Sequence, residues 1–200
     1  MKRSQFLRNA FLSLGAAVVL AACGGGDTAS TPSSDGGDVA TGPWVVGTEP
    51  AIPPFESQDE NGELVGFDID LMQAIGEQAG VEVEFESLPF DGLIPALQAG
   101  TIEAAISGMT ITEERGETVD FSRPYFRAGL AIAVAEDDTE TTSLESLEGK
   151  TIAVQIGTTG ANMAGSVKDA NVSTFESAPL AQQELSYGNA DAVINAAPAT

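Results

Sequence analysis

The stretch Ser107-Gly108-Met109-Thr110-Ile111-Thr112-Glu113-Glu114-Arg115 gathers residue types that can hold a small anion. It follows Ala104-Ala105-Ile106, which reads as a buried strand. The Thr110/Glu113 spacing is that of a capping box and predicts a helix opening near Thr110. A helix N-terminus offers unpaired N–H groups and partial positive charge, which suits an anion. Gly108 lets the backbone come close to a ligand. Arg115 stands about one turn in, where its planar fork matches a carboxylate. The competing reading is a surface arginine paired with Glu114 or Glu117, and spacing alone leaves both open.

Composition narrows the partners. The chain has 8 Lys and Arg against 30 Asp and Glu, a formal charge of −22. Lys2, Arg3 and Arg8 precede Cys23; only Arg115, Arg123, Arg127, Lys150 and Lys168 follow it, with all the acids. Such a surface repels phosphate backbones and anionic lipid, so no nucleic acid is expected as a partner. With no histidine and one cysteine, the chain has no Cys/His metal set and no internal disulfide, and neither metal nor cofactor is expected. Asp68 and Asp70 read as helix N-terminal caps, and Glu82, Glu84 and Glu86 as one solvated strand face. Asp120 and Arg123 read as a local pair or loop-shaping residues. The loop at Gly157 lacks the lysine and glycine pattern of a phosphate cradle.

These residues need elements to position them. Trp44-Val45-Val46 reads as a strand ending at Gly47, and Pro50, Pro53 and Pro54 force a loop. Asn61-Gly62 signals a turn. Asp68 to Ala79 reads as a helix with Leu71, Met72, Ile75 and Ala79 on its apolar face and Gly80 as C-cap. Val81, Val83 and Phe85 alternate with the three glutamates in the manner of a half-buried strand. Asp91 is placed to cap a helix carrying Leu93, Ile94 and Leu97, which stops at Gly100. This tight strand–helix alternation predicts a parallel sheet with helices on its faces. Leu130 to Ala135 reads as a strand, with an interlobe crossing at Glu136-Asp137-Asp138. The rhythm then restarts: a short helix over 143–147, strands over 151–154, 172–175 and 191–194, and helices from the Gly157 loop to about Val167 and over 179–187. The fold class is therefore α/β, with two lobes in series and a ligand cleft between them, beyond the carboxyl ends of the strands.

The N-terminus reads as an export signal: a basic head, an apolar run from Phe11 to Ala22 too short to span a bilayer, and small residues before Cys23. Leu20-Ala21-Ala22-Cys23 resembles a bacterial lipobox, which implies a lipid on Cys23 and a membrane-anchored protein at the cell envelope, in the periplasm or on the outer face of the cytoplasmic membrane. Gly24 to Gly42 is mostly Gly, Ser, Thr, Asp and Pro, the composition of a flexible tether. The expected organisation is signal 1–22, tether 23–42, lobe one 43–132 and part of lobe two 133–200.

Eight blocks in order carry a wider resemblance: Gly47-Thr48-Glu49-Pro50, Pro53-Pro54-Phe55-Glu56, Gly66-Phe67-Asp68-Ile69-Asp70-Leu71, Asp91-Gly92-Leu93-Ile94-Pro95-Ala96-Leu97, Gly108-Met109-Thr110-Ile111-Thr112 with Arg115, Val119-Asp120-Phe121-Ser122, Gly157-Thr158-Thr159-Gly160 and Asp191-Ala192-Val193. Together they resemble the family 3 extracellular solute-binding proteins, receptors of polar amino-acid ABC transporters. That resemblance implies a two-lobed, type II periplasmic-binding-protein fold that closes on its ligand and docks on an ABC permease. It implies that Arg115 grips a ligand carboxylate, that Thr159 adds donors to it, and that Ser107, Gly108 and Thr110 offer polar groups. It places Phe90 against the ligand side chain, Glu49 at the distal end and Gln155 nearby on lobe two. The ligand so implied is an amino acid or related small carboxylate.

The chain departs from the family pattern at three points. Ile52 stands where an aromatic residue usually stacks on the ligand. Ala196 stands where an aspartate pairs with the ligand ammonium, and the adjacent Asn195 should face the other side of its strand. Losing that counter-charge costs about 3–5 kcal/mol for a buried ammonium, which predicts weak amino-acid binding or a ligand without a free α-ammonium. The family fold also continues beyond the position of Thr200, so a chain truncated within lobe two, its return segment incomplete, is expected. Two alternatives share the fold: a cyclohexadienyl dehydratase-like enzyme with Glu49 as general acid, and a ligand-sensing module.

Overall fold

The computed structural model describes residues 42–197; Cys23, the signal and most of the tether lie outside them. The first part of the described chain runs β1 (Trp44–Thr48), β2 (Ser57–Gln58), β3 (Leu64–Val65), α1 (Phe67–Ala79), β4 (Val83–Ser87), α2 (Leu93–Ala99), β5 (Ala104–Ala105) and α3 (Glu113–Gly116). β1 lies between β4 and β5, all parallel, with Val46 opposite Phe85 on one side and Ala104 on the other. The alternation in β4 is obeyed: Val83 and Phe85 are half-buried, while Glu84 and Glu86 are exposed. Beneath them Val46, Met72 and Ile106 form the core of this sheet. β2 and β3 form a hairpin whose turn is held by Asp59, whose Oδ1 accepts from the N–H of Asn61 and of Glu63 at 2.8 and 2.9 Å.

The face α1 turns inward differs from the expected one. Ile69, Met72 and Gly76 are buried, while Ile75 is 42% exposed. The cause is close packing at Gly76, where a Cβ would stand 2.4 Å from Val83 Cγ2 and 2.9 Å from the Val81 carbonyl. The helix backs onto β4 at its bare position, and that rotates Ile75 outward. α1 and α2 end as expected, on left-handed C-caps at Gly80 and Gly100. The start of α2 does not follow expectation: a 3-10 turn over Phe90–Gly92 precedes it, and no side chain, Asp91 included, caps it.

The second part contains β6 (Leu130–Val134), β7 (Thr151–Gln155), α4 (Thr159–Gly165), β8 (Asn171–Phe175), α5 (Ala178–Ser186) and β9 (Ala192–Ala196), with a 3-10 turn over Glu145–Leu147. The sheet order is β6-β9-β7-β8, parallel except for β6. Its central strands β7 and β9 carry buried apolar residues on both faces, as sheets covered twice by helices require. Ile152, Val154, Ala192 and Ile194 face α4 and Leu147, while Ala153 and Val193 face α5 through Ala181. Each fully buried Ile or Val contributes about 1.5–3 kcal/mol. Gly160 brings α4 against β9, since a Cβ there would stand 2.5 Å from the Ile194 carbonyl oxygen.

Asp138 anchors the turn after β6, accepting from the N–H groups of Glu140 and Thr141 and from the Thr141 hydroxyl, with Lys150 3.5 Å away. These bonds hold its carboxyl well below the usual range. Among the described residues no ion pair joins Asp120 to Arg123; both are exposed.

Candidate functional site

The C-terminal ends of β1, β5 and β7 converge on one seam between the two sheets. β1 runs into Glu49, which is 6% exposed, and β7 ends at Gln155, which is 1% exposed. Gln155 Nε2 donates to both Glu49 carboxylate oxygens, at 2.8 and 2.7 Å, and lies 3.1 Å from the Glu176 carbonyl. Burial pushes the Glu49 carboxyl up, the Gln155 bond opposes this, and Asp91 adds to the rise.

Arg115 makes the second bridge. Its Nη1 donates to the Thr110 carbonyl at 2.6 Å and its Nη2 to the Gly157 carbonyl, across the seam, at 2.8 Å. The guanidinium carbon lies 5.5 Å from the centre of the Phe90 ring, a cation–π distance. Burial lowers its pKa and Glu114 opposes this, but a guanidinium stays charged in any protein site. Among the described residues it forms no ion pair, with Glu114, Glu117 or any other acid. The surface-pair reading of Arg115 is therefore not what the structure shows.

The helix carrying Arg115 starts later than expected. α3 opens with Thr112 as N-cap, its hydroxyl accepting from the Arg115 N–H at 3.2 Å. Met109 and Thr110 thus remain extended loop, which frees the Thr110 carbonyl to orient the guanidinium.

Behind this loop lies a group of acids with a role other than the expected one. Glu56 and Asp68 are both 0% exposed. The Ser107 hydroxyl donates to Glu56 Oε1 at 3.1 Å and accepts from the Glu49 N–H at 3.0 Å. Asp68 Oδ2 accepts from the Gly108 N–H at 3.0 Å and from the Tyr125 hydroxyl at 2.8 Å. Asp68 therefore does not cap α1, whose N-cap, Gly66, is left without a side-chain cap. The lone acid of the Pro-Pro-Phe-Glu block gave no local signal of this role. Gly108 serves the loop through its φ of +54°, a value that favours glycine.

Of the expected site residues, Glu49, Phe90, Ser107, Arg115 and Gln155 belong to one connected seam. Ile52, Gly108 and Thr110 line an adjoining cavity of about 460 Å³, together with Phe55, Tyr125, Phe126 and Ala196. No Asp or Glu lines it, and Arg127 is its charged residue. Thr159 opens α4, half-buried, while its neighbour Thr158 caps that helix by accepting from the Ala161 N–H. Among the described residues no group of three His, Cys, Asp or Glu is placed to hold a metal.

Residues 44–197 match the model of the bacterial extracellular solute-binding proteins, family 3. The chain is 33% identical over 180 residues to the probable amino-acid-binding protein YxeM of Bacillus subtilis (strain 168), covering 88% of this chain and 65% of that protein. It thus spans just under two thirds of that relative's length. An ancestral arginine-binding protein, solved bound to arginine, superposes with a TM-score of 0.76 at 50% identity, over 78% of this chain and 70% of the other. The substrate-binding protein of an amino acid ABC transporter superposes with a TM-score of 0.74 at 39% identity, over 78% and 70%. The two facing α/β sheets are accordingly the lobes of a type II periplasmic-binding-protein fold, and the chain belongs to the family 3 bacterial extracellular solute-binding proteins.

Proposed function

We propose that this chain is the solute-capturing component of an ABC importer, binding an amino acid or a related small carboxylate outside the cytoplasm and delivering it to a permease. The observation that carries the reading is Arg115: a half-buried cation at the seam, free of ion pairs among the described residues, in a chain with 30 acids. A desolvated guanidinium with no counter-ion is a receptor for an anion, and its fork selects a carboxylate. Around it we assign Phe90 to stack on the ligand, Ser107, Gly108, Thr110 and Thr159 to offer it polar groups, and Ile52 to make an apolar contact. Glu49 and Gln155 meet the far end of the ligand, where a buried carboxylate favours a polar or cationic group. The relatives named for arginine and for amino-acid transport support this assignment. We further assign residues 1–22 to an export signal, Cys23 to lipid anchorage and 23–42 to a tether.

Titration calorimetry with L-arginine, L-histidine, L-glutamine and their deaminated analogues tests the reading. Arg115→Met lowers the affinity of whichever carboxylate binds by about 100-fold or more; unchanged affinity overturns it. Cys23→Ser releases the expressed protein from membranes if the anchor is lipid. A second reading has one observation in its favour, the raised carboxyl of Glu49, which suits a general acid. Turnover of prephenate or arogenate, lost in Glu49→Gln, would establish it in place of transport.

A further inference from the structure

Besides the Thr48 hydroxyl, two buried carboxyl oxygens in lobe one have no hydrogen-bond partner: Glu56 Oε2 and Asp68 Oδ1. Both belong to fully buried carboxyl groups close enough to hydrogen-bond one another. An ionised carboxylate only accepts, so two facing carboxylates would leave both oxygens bare and two like charges in a dry site. One proton between them satisfies both atoms and removes one charge. The outer oxygens are already committed to the cleft loop: Glu56 Oε1 to the Ser107 hydroxyl, and Asp68 Oδ2 to the Gly108 N–H and the Tyr125 hydroxyl.

We propose that Glu56 and Asp68 form a buried acid–carboxylate pair that holds one proton at neutral pH and, through Ser107 and Gly108, fixes the loop facing the interlobe cleft. They are positioning residues. The pair reaches the cleft by two short paths, Glu56 to Ser107 to the Glu49 N–H, and Asp68 to the Gly108 N–H. The titratable groups around it are Glu49 at the end of β1, whose charge raises the cost of a second negative charge, and Tyr125, a neutral hydroxyl that donates to Asp68; no cation is among its hydrogen-bond partners. Burial first, then Asp68, raises the Glu56 carboxyl to about 9, so Glu56 carries the proton.

Native Glu56 keeps its proton up to about pH 9, whereas the unfolded chain releases it near the ordinary 4.5. Unfolding therefore releases a proton between those values, and this contribution to stability is full below the window and lost as pH rises through it.

Three measurements on the whole chain test the pair. The infrared spectrum of 13C-glutamate-labelled protein at pH 7 shows a neutral carboxylic acid band that Glu56→Gln removes; its absence from the wild type overturns the proposal. The Gly108 amide NMR signal moves with a midpoint near 9 in the wild type and stays flat in Glu56→Gln, whose amide can replace the acid as donor. A titration that persists in the variant overturns it. The unfolding constant of the wild type rises about tenfold more per pH unit than that of Glu56→Gln within the window; equal slopes overturn it.

Only the purpose assigned to the loop rests on the solute-binding reading. There, L-arginine affinity above pH 9 falls further in the wild type than in Glu56→Gln, the ligand's own titration being common to both. If no solute binds while the spectroscopic results hold, the transport reading fails and the proton pair stands. If solute binds but the band, the amide titration and the slope difference are missing, the pair fails and the transport reading stands.

Discussion

The two lobes solve opposite problems on either side of one seam. In lobe two the central strands are apolar on both faces, with Ile152, Val154, Ala192 and Ile194 against α4 and Ala153 and Val193 against α5. It sends to the seam a backbone carbonyl, Gly157, and one amide side chain, Gln155. In lobe one the corresponding region is polar to its interior: Thr48, Glu49, Glu56, Asp68 and Ser107 are all buried. Burying polar groups is costly unless each finds a partner, and satisfied networks impose a single arrangement. Lobe two thus supplies a stable wall, and lobe one gives up stability to hold polar groups at the seam.

The comparison can be broken most severely at the wall. Leu147→Ala or Ile152→Ala, both fully buried, should cost about 2–5 kcal/mol in urea denaturation while leaving the lobe-one bonds intact. A smaller change sharpens the contrast by placing an acid on the apolar side. Ala196→Asp should raise amino-acid affinity ten- to a hundredfold, about 1.5–3 kcal/mol, without helping the deaminated analogue; calorimetry with the two ligands separates these outcomes. Gly157→Ala should weaken closure of the seam by about 1–2 kcal/mol, since φ there is +74° and the new Cβ would stand 3.0 Å from Asp91 Cβ. Ligand affinity and small-angle scattering of the free chain would report it. Glu84→Gln, on the solvated face of β4, should change the melting free energy by less than about 0.5 kcal/mol. A larger effect would show that this face is not merely hydrated.

Much of the architecture was legible because its causes are local. The alternation over Val83 to Glu86, the Asn61-Gly62 turn and the glycines closing α1 and α2 act within a few residues of themselves. The errors also have local origins. A threonine and a glutamate at capping-box spacing suggested a helix from Thr110, but Thr112 takes the cap because its hydroxyl meets the Arg115 N–H. The apolar stripe of α1 misleads because periodicity counts large side chains, whereas the closest packing there is made by Gly76, which has none.

Order along the chain was sufficient for a two-lobed α/β architecture, because strand and helix signals are written consecutively, while Arg115, Glu49 and Phe90 were placed at the cleft through the family resemblance that the motif blocks carry. Which groups touch was settled only when the sheets formed. Glu56 meets Ser107 across 51 positions, Asp68 meets Gly108 across 40, and Gln155 meets Glu49 across 106. A carboxyl group looks the same in sequence whether it will be solvated, cap a helix or share a proton. Only burial beside a second acid, with water excluded, separates these fates, and burial is a property of the assembled chain.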